Sequence, residues 1–348
     1  MDRTCFIGAS APGACGEDMR LANNDMDCAK GGPRPLRIGI ARCLLGDAVR
    51  YDGSGKLDRY LRDVLGTFVE FVPVCPEVEC GMGTPREAVR LVGDLETPRL
   101  VGRKTGEDWT RRMREWGEAR LAELEREDLC GYVFKARSPS SGMARVKVYP
   151  EGGGQPRYDG VGMWARMVME RFPLLPFEDE GRLNDMGIRE NFVTRIFVMR
   201  RWRDLLAAGL TTGRLVDFHT RHKMLILAHN QAAYREMGRL VAQAADMDPE
   251  ALACEYLTLL SRALSRRATV KSHTNVLMHA AGYFRRQLSA DERAELSELI
   301  ETYRRGLVPR IAPLTLLNHY VRKYDESYLG GQIYLHPHPV ELRLLFHA

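Results

Sequence analysis

No apolar stretch in this 348-residue chain is long enough to span a bilayer. Its opening, Met1-Asp2-Arg3-Thr4-Cys5, lacks the basic-then-apolar pattern of a secretory leader. Membrane-embedded and exported classes are set aside on these grounds. A cytoplasmic protein is expected, in a compartment that keeps thiols reduced. Internal repeats and low-complexity tracts are also missing, which argues against solenoid and fibrous architectures. Neither charge sign dominates: 51 Lys and Arg stand against 46 Asp and Glu, a net of +5. That balance permits a nucleic-acid partner without requiring one. With 45% hydrophobic and 28% charged residues, the composition is that of a globular protein, and the length favours two domains.

What the chain does have is cysteine, eight in all. In a reducing compartment that number points to metal binding or catalysis over disulfides. Cys5, Cys15 and Cys28 fall in an aperiodic Gly/Asn/Asp-rich segment, residues 1–33, expected to be a flexible lead-in. Cys130 precedes a short apolar run and Cys254 sits in a helical pattern; both are expected as small buried hydrophobes. Cys43, Cys75 and Cys80 differ. Cys43 follows the run Leu36–Ala41, and Val74-Cys75-Pro76-Glu77-Val78-Glu79-Cys80-Gly81 follows the run Phe68–Val74. Loops at the carboxyl ends of strands are where α/β sheets place their chemistry. Three thiolates there can hold a metal or an iron–sulfur cluster with one position open, and no fourth Cys or His lies near enough in sequence to favour a closed structural zinc site.

The fold class expected is α/β: a Rossmann-like open sheet over residues 34–178, followed by an all-α domain over 186–348. Strands are predicted at Leu36–Ala41, Phe68–Val74, Gly131–Lys135 and Arg145–Tyr149, with helices at Asp58–Leu65 and Thr110–Glu127 and another opening at Pro85. After Asp179-Glu180-Gly181 the pattern turns helical: Thr194–Ala208, Arg214–Leu227, Asn230–Ala245, Ala251–Arg266, Thr269–Leu288, and a capped helix from Ser289 to near Gly306. His336-Pro337-His338-Pro339 is expected as an exposed extended tail.

Four segments of the first half carry chemistry: Cys43 to Gly53, Cys75 to Arg86, Lys135-Ala136-Arg137-Ser138-Pro139-Ser140-Ser141-Gly142, and Tyr158-Asp159-Gly160-Val161-Gly162. Together they resemble the thiouracil desulfidase (TudS-type) family over roughly residues 35–170. Gly213 to Lys223 and Asn275-Val276-Leu277-Met278-His279 resemble the YbgA-like helical domain found behind it, in fusions associated with 4-thiouridine in tRNA. The resemblance implies a 4Fe–4S cluster on three cysteines, with the fourth iron free to bind a thiocarbonyl sulfur. It also implies a role for Ser138 in proton relay or substrate positioning. The family's third ligand segment reads Ser-Pro-Ser-Cys-Gly, but here a serine, Ser141, takes the cysteine's place. Cys80 is the expected substitute, giving Cys43, Cys75 and Cys80 as ligands. Ser141 as an alkoxide ligand, or an engineered Cys→Ser exchange, remain the alternatives; serine oxygen is a hard donor for such a cluster.

The chemistry can be argued from the residues. A soft iron site polarises C=S as a Lewis acid, water attacks the ring carbon, and a base must take its proton. Glu77, two residues past Cys75, is the expected base or proton shuttle. The exchange of C=S for C=O is hydrolysis and needs no redox change. Glu79 is expected to be only a loop or cap acid, while Lys135 and Arg86 could each meet an anion or simply form a salt bridge. In the helical half, Arg189 to Lys223 holds eight Arg or Lys against three acids, interleaved with Trp202 and Phe218. Arg195, Arg200, Arg201, Arg203, Arg214, Arg221, His222 and Lys223 are the expected phosphate contacts. The expected partner is tRNA containing 4-thiouridine. Free thiouracil as substrate, or a non-catalytic redox or sulfide sensor, are the rival readings.

Overall fold

The computed structural model describes residues 34–347. The segment 1–33, with Cys5, Cys15 and Cys28, lies outside them. Two compact units are present: one up to Gly181 together with Leu206–Ala208, the other Arg182–Leu205 with Gly209 onward.

The first unit contains two four-stranded sheets. The larger takes β1 (Arg37–Ala41), β2 (Glu70–Val74), β5 (Gly131–Phe134) and β8 (Phe177–Asp179) in the order β2-β1-β5-β8, every pair parallel. Because all four strands run the same way, the loops leaving β1, β2 and β5 emerge on one edge. The smaller sheet takes β3 (Val89–Val92), β4 (Arg99–Gly102), β6 (Val146–Tyr149) and β7 (Arg157–Gly160) in the order β4-β3-β6-β7. Helices α1 (Pro76–Glu79), α2 (Thr110–Leu124) and α3 (Met163–Arg171) complete the unit. Trp164 of α3 is fully buried and donates its indole N–H to Tyr132 Oη at 3.0 Å, so the largest side chain of this core has its polar atom satisfied.

The open-sheet expectation holds, with corrections. The segments expected at 131–135 and 145–149 belong to different sheets, and the antiparallel pair β3–β4, half of the second sheet, had no expectation attached to it. No helix opens at Pro85: Gly81–Ala88 is turn and loop leading into β3, with a cis Thr84–Pro85 bond. Proline suits the first helical turn, but an apolar strand immediately downstream claims the segment. The helix expected at 58–65 is a single π-type turn, Tyr60–Val64, followed by a 3-10 turn.

The second unit is helical: α4 (Met186–Ala207), α5 (Thr212–His229), α6 (Gln231–Ala242), α7 (Pro249–Ser265), α8 (Val270–Tyr283), α9 (Ala290–Arg304), α10 (Ile311–Lys323) and α11 (Ser327–Gly330). The Ser289 capping box forms as expected, and Asp248 caps α7 ahead of Pro249. His336 to Pro339 is not an exposed tail: Pro337 and His338 are buried, and Arg201 donates to Pro337 O at 2.9 Å.

The core of this unit holds a buried ion pair, Glu190 with Arg310, flanked by His273 and His347. Burial alone would raise Glu190, but the Arg310 guanidinium and the His347 hydrogen bond hold it down, to about 2 from 4.5. A depressed carboxylate stabilises the fold above its unfolded pKa and loses that contribution as pH falls through the folded one. The loss therefore spans pH 4.5 to about 2 and amounts to about 3 kcal/mol. Melting curves of wild type and Glu190→Gln across that window should show a steeper acid loss in wild type; parallel curves would remove Glu190 from the account.

Candidate active site

The carboxyl ends of β1, β2 and β5 meet at one cavity of about 260 Å³. From the β1 end come Arg42 and Cys43, held in a 3-10 turn that closes on Gly46 at φ 104°, the left-handed region that favours glycine. From the β2 end come Cys75, the N-cap of α1, and then Pro76 and Glu77. From the β5 end come Lys135, Ala136, Arg137, Ser138 and Ser141.

The Ser138–Gly142 loop is fixed from below by the start of α3. Gly162 donates to Gly142 O at 2.7 Å, Met163 to Pro139 O at 3.2 Å and Ala165 to Ser140 O at 3.1 Å. A Cβ at Gly162 would lie 2.5 Å from Ser140 O and 2.7 Å from Gly142 N. The fourth chemistry-bearing segment therefore acts by support: its glycine lets the helix start touch the loop backbone.

Glu77 is the centre of the polar network. Its carboxylate accepts from Ser140 Oγ by a short contact and lies 3.5 Å from Ser138 Oγ, 3.7 Å from Cys75 Sγ and 3.6 Å from Arg86 Nη2. Ser138 and Ser140 hydroxyls are 3.0 Å apart, and Ser138 Oγ accepts from Ser141 N at 3.1 Å. Arg86 also donates to Val49 O and Gly83 O, tying three loops to one guanidinium. Burial, then the Glu77 charge, push the thiols up: Cys43 to about 11 and Cys75 to about 12. Without a metal both are protonated at neutral pH, so binding one must release protons.

The structure brings Cys43, Cys75, Glu77, Ser138 and Ser141 together. Cys80 is not among the residues lining the cavity. It ends α1, donates to Glu77 O at 3.4 Å and packs toward the core of the smaller sheet with Leu91, Met113 and Met163. Five residues after Cys75, one helical turn has carried it to another face. Ser141 is on the cavity wall, 3% exposed, with its hydroxyl buried and without a hydrogen-bond partner. Glu79 accepts from Cys75 N at 2.7 Å, the capping role expected of it. Lys135 pairs with Glu180 while lining the cavity. Ser140, Arg50 and Tyr51 line or brace the site and carried no sequence expectation. Ser140 has a signal in hindsight, since two hydroxyls two residues apart in a tight loop share a side.

The expected phosphate contacts in the helical unit fare differently. Arg200 is buried and paired with Asp204 at 2.8 Å; Arg201 is engaged with Pro337; His222 is 2% exposed, stacked on Phe218 with Nδ1 at Phe218 O. Trp202 and Phe218 are core aromatics, Trp202 stacked on Tyr256 at 5.1 Å. The basic run on α4 thus faces partly inward, because its apolar residues leave no wholly solvated side. Arg214 is exposed and donates to Gly209 O; Arg195, Arg203, Arg221 and Lys223 are half-buried.

Residues 38–180 match the family described as 2-thiouracil desulfurase, and residues 223–339 match a family described as a protein of unknown function, DUF1722. The uncharacterized protein YbgA of Escherichia coli (strain K12) is 39% identical over 166 residues, covering 46% of this chain and 97% of that protein. The chain belongs to the 2-thiouracil desulfurase family, with a YbgA-like domain fused behind it. The uncharacterized protein YbbK of Bacillus subtilis (strain 168) is 30% identical over 108 residues, 30% of this chain and 71% of that one. A solved structure, the [4Fe-4S]-dependent thiouracil desulfidase TudS, matches at 27% identity and a TM-score of 0.36, covering 44% of this chain and 97% of its own. The cavity described above lies wholly within the desulfurase domain.

Proposed function

We propose that this chain hydrolyses the thiocarbonyl of a thiolated uracil, with 4-thiouridine in tRNA as the substrate, using an iron–sulfur cluster. The observation that carries the reading is the convergence of two thiols, an unpartnered buried hydroxyl and a carboxylate–serine network on one base-sized cavity. Among the described residues no three Cys, His, Asp or Glu side chains cluster as metal ligands, so the third donor on this cavity would be a hydroxyl. Cys43 and Cys75 would supply the soft ligands, and Ser141 would take the third position. When bound, the cluster's open iron supplies a soft Lewis acid for the substrate's sulfur.

The chain's own residues do the rest. Glu77 takes a proton from the attacking water, with Ser138 and Ser140 orienting its carboxylate and offering a relay. Water oxygen forms the new C–O bond, the C–S bond breaks, and sulfur leaves as hydrosulfide with one proton to solvent. Arg86 holds Glu77 in place, and Tyr51, exposed at the rim, offers a face on which a uracil ring can stack.

The direct test is anaerobic: the iron- and sulfide-reconstituted protein is given 4-thiouridine tRNA and, in parallel, free thiouracil. Loss of 4-thiouridine with matching uridine and sulfide supports the full reading. Turnover of thiouracil alone moves the substrate to a small molecule. The ligand assignment has its own readout, iron retained per chain after desalting. Ser141→Cys should raise it, because a thiolate replaces a hard oxygen; Cys80→Ala should leave it at wild type. Loss of iron in Cys80→Ala would return Cys80 to the ligand set.

A further inference from the structure

The smaller sheet has an outward face with its own chemistry. Alternation along β6 turns Val146 and Val148 inward and leaves Lys147 and Tyr149 outward; β7 presents Tyr158, 58% exposed, on that side. With Arg90 of β3, and Arg103 just past β4, they line a groove of about 540 Å³. Arg137 and Arg145 close its other wall.

Four observations give this groove a direction and an occupant. First, its lining has five cations and no carboxylate, and among the described residues none of the five is in an ion pair. Five is also the formal excess of the whole chain, 51 minus 46, so elsewhere the charges cancel. Second, Arg137 and Arg145 sit at φ 58° and 55°, where an L side chain is strained and glycine is favoured. A folded chain keeps such residues where the side chain is wanted. Third, aromatic faces lie among the cations: Arg90 over Tyr149 at 5.4 Å and Lys147 over Tyr158 at 5.3 Å. Fourth, the groove adjoins the catalytic cavity: Val89, Arg137 and Pro139 line both.

We propose that this groove is the track for the RNA strand that delivers the thiolated base, so that the desulfurase unit itself grips polynucleotide. The proposal rests on the thiouracil-desulfuration reading of the neighbouring cavity and names the form in which that site meets its substrate. A free thiouracil is a small uncharged base and gains nothing from Arg90, Arg103, Arg145 and Lys147, the four groove cations that do not line the cavity. A strand entering the cavity with one base turned out needs its flanking phosphates neutralised and its neighbouring bases stacked. Arginines and lysine supply the first, Tyr149 and Tyr158 the second.

The test uses the full-length reconstituted protein and unmodified tRNA as the probe, with binding read by fluorescence anisotropy over a salt series. In Arg103→Gln/Lys147→Gln two phosphate contacts are removed, and the slope of log K against log salt should flatten by about 1.5. Tyr158→Ala should weaken binding roughly 5- to 100-fold with the slope unchanged, because stacking releases no counterion. Wild-type melting temperatures in each variant establish that the fold is intact. Affinity and slope equal to wild type in the double variant, with the fold intact, would overturn the proposal. Because unmodified tRNA is not turned over, this outcome is separate from failure of the desulfuration reading, which shows as no sulfide release by wild type from either substrate.

Discussion

Glu77→Gln should lower the desulfuration rate by roughly 10²–10⁴-fold while leaving the iron content at wild type. The carboxylate is the one group that contacts both serines, lies beside Cys75 Sγ and is anchored by an arginine. Glutamine keeps the shape and an acceptor oxygen for Ser140, so the loop should hold; what it loses is the capacity to take a proton from water. The comparison is single-turnover loss of the thionucleoside, normalised to iron per chain. Rates within a few-fold of wild type would place the base elsewhere. A parallel fall in iron content would make Glu77 a structural support of the ligand loops. Ser138→Ala and Ser140→Ala separate the relay from the carboxylate: each should cost less than Glu77→Gln, because the remaining serine still reaches the same network.

Gly162→Ala should destabilise the desulfurase unit by about 2–3 kcal/mol and lower turnover at least 10²-fold, through added volume alone. The backbone at Gly162 has φ −62°, open to any residue, so conformation is not the obstacle. Space is: the added methyl would meet the carbonyl of Ser140 and the amide of Gly142, which are backbone atoms and cannot swing away as a flexible side chain could. Relief comes only by pushing the Ser138–Gly142 loop from the α3 start, breaking three hydrogen bonds, moving Ser138 and Ser140 off Glu77 and displacing Ser141 on the cavity wall. Melting temperature and turnover should therefore fall together. Gly152→Ala is the matched control, since a Cβ there meets nothing within 4 Å. An unperturbed Gly162→Ala would mean that the loop is not held by this contact.

Much of the site was legible in the sequence because strand ends and their loops are local features. A short apolar run followed by cysteine places Cys43 and Cys75 at strand carboxyl ends, and parallel pairing then brings such ends to one edge. Helices of the second unit were legible for the same reason: caps such as Ser289 and Asp248-Pro249 act over three or four residues.

What only the tertiary structure decided concerns which way a side chain faces once elements pack. Neither the spacing that suggested Cys80 nor the family resemblance that pointed to the position of Ser141 says which side chain faces the cavity; one turn of α1 carries Cys80 toward the smaller sheet, while the β5 loop leaves Ser141 on the cavity wall. The basic run of α4 and α5 read as one phosphate-binding face, yet burial of Trp202, Phe218 and His222 draws Arg200 and Arg201 inward with them. The five cations of the groove come from β3, the β4 end, the β5 loop and β6, and no spacing rule joins residues 90, 103, 137, 145 and 147. A second sheet assembled from distant hairpins does, because pairing in register fixes which alternate side chains share a face.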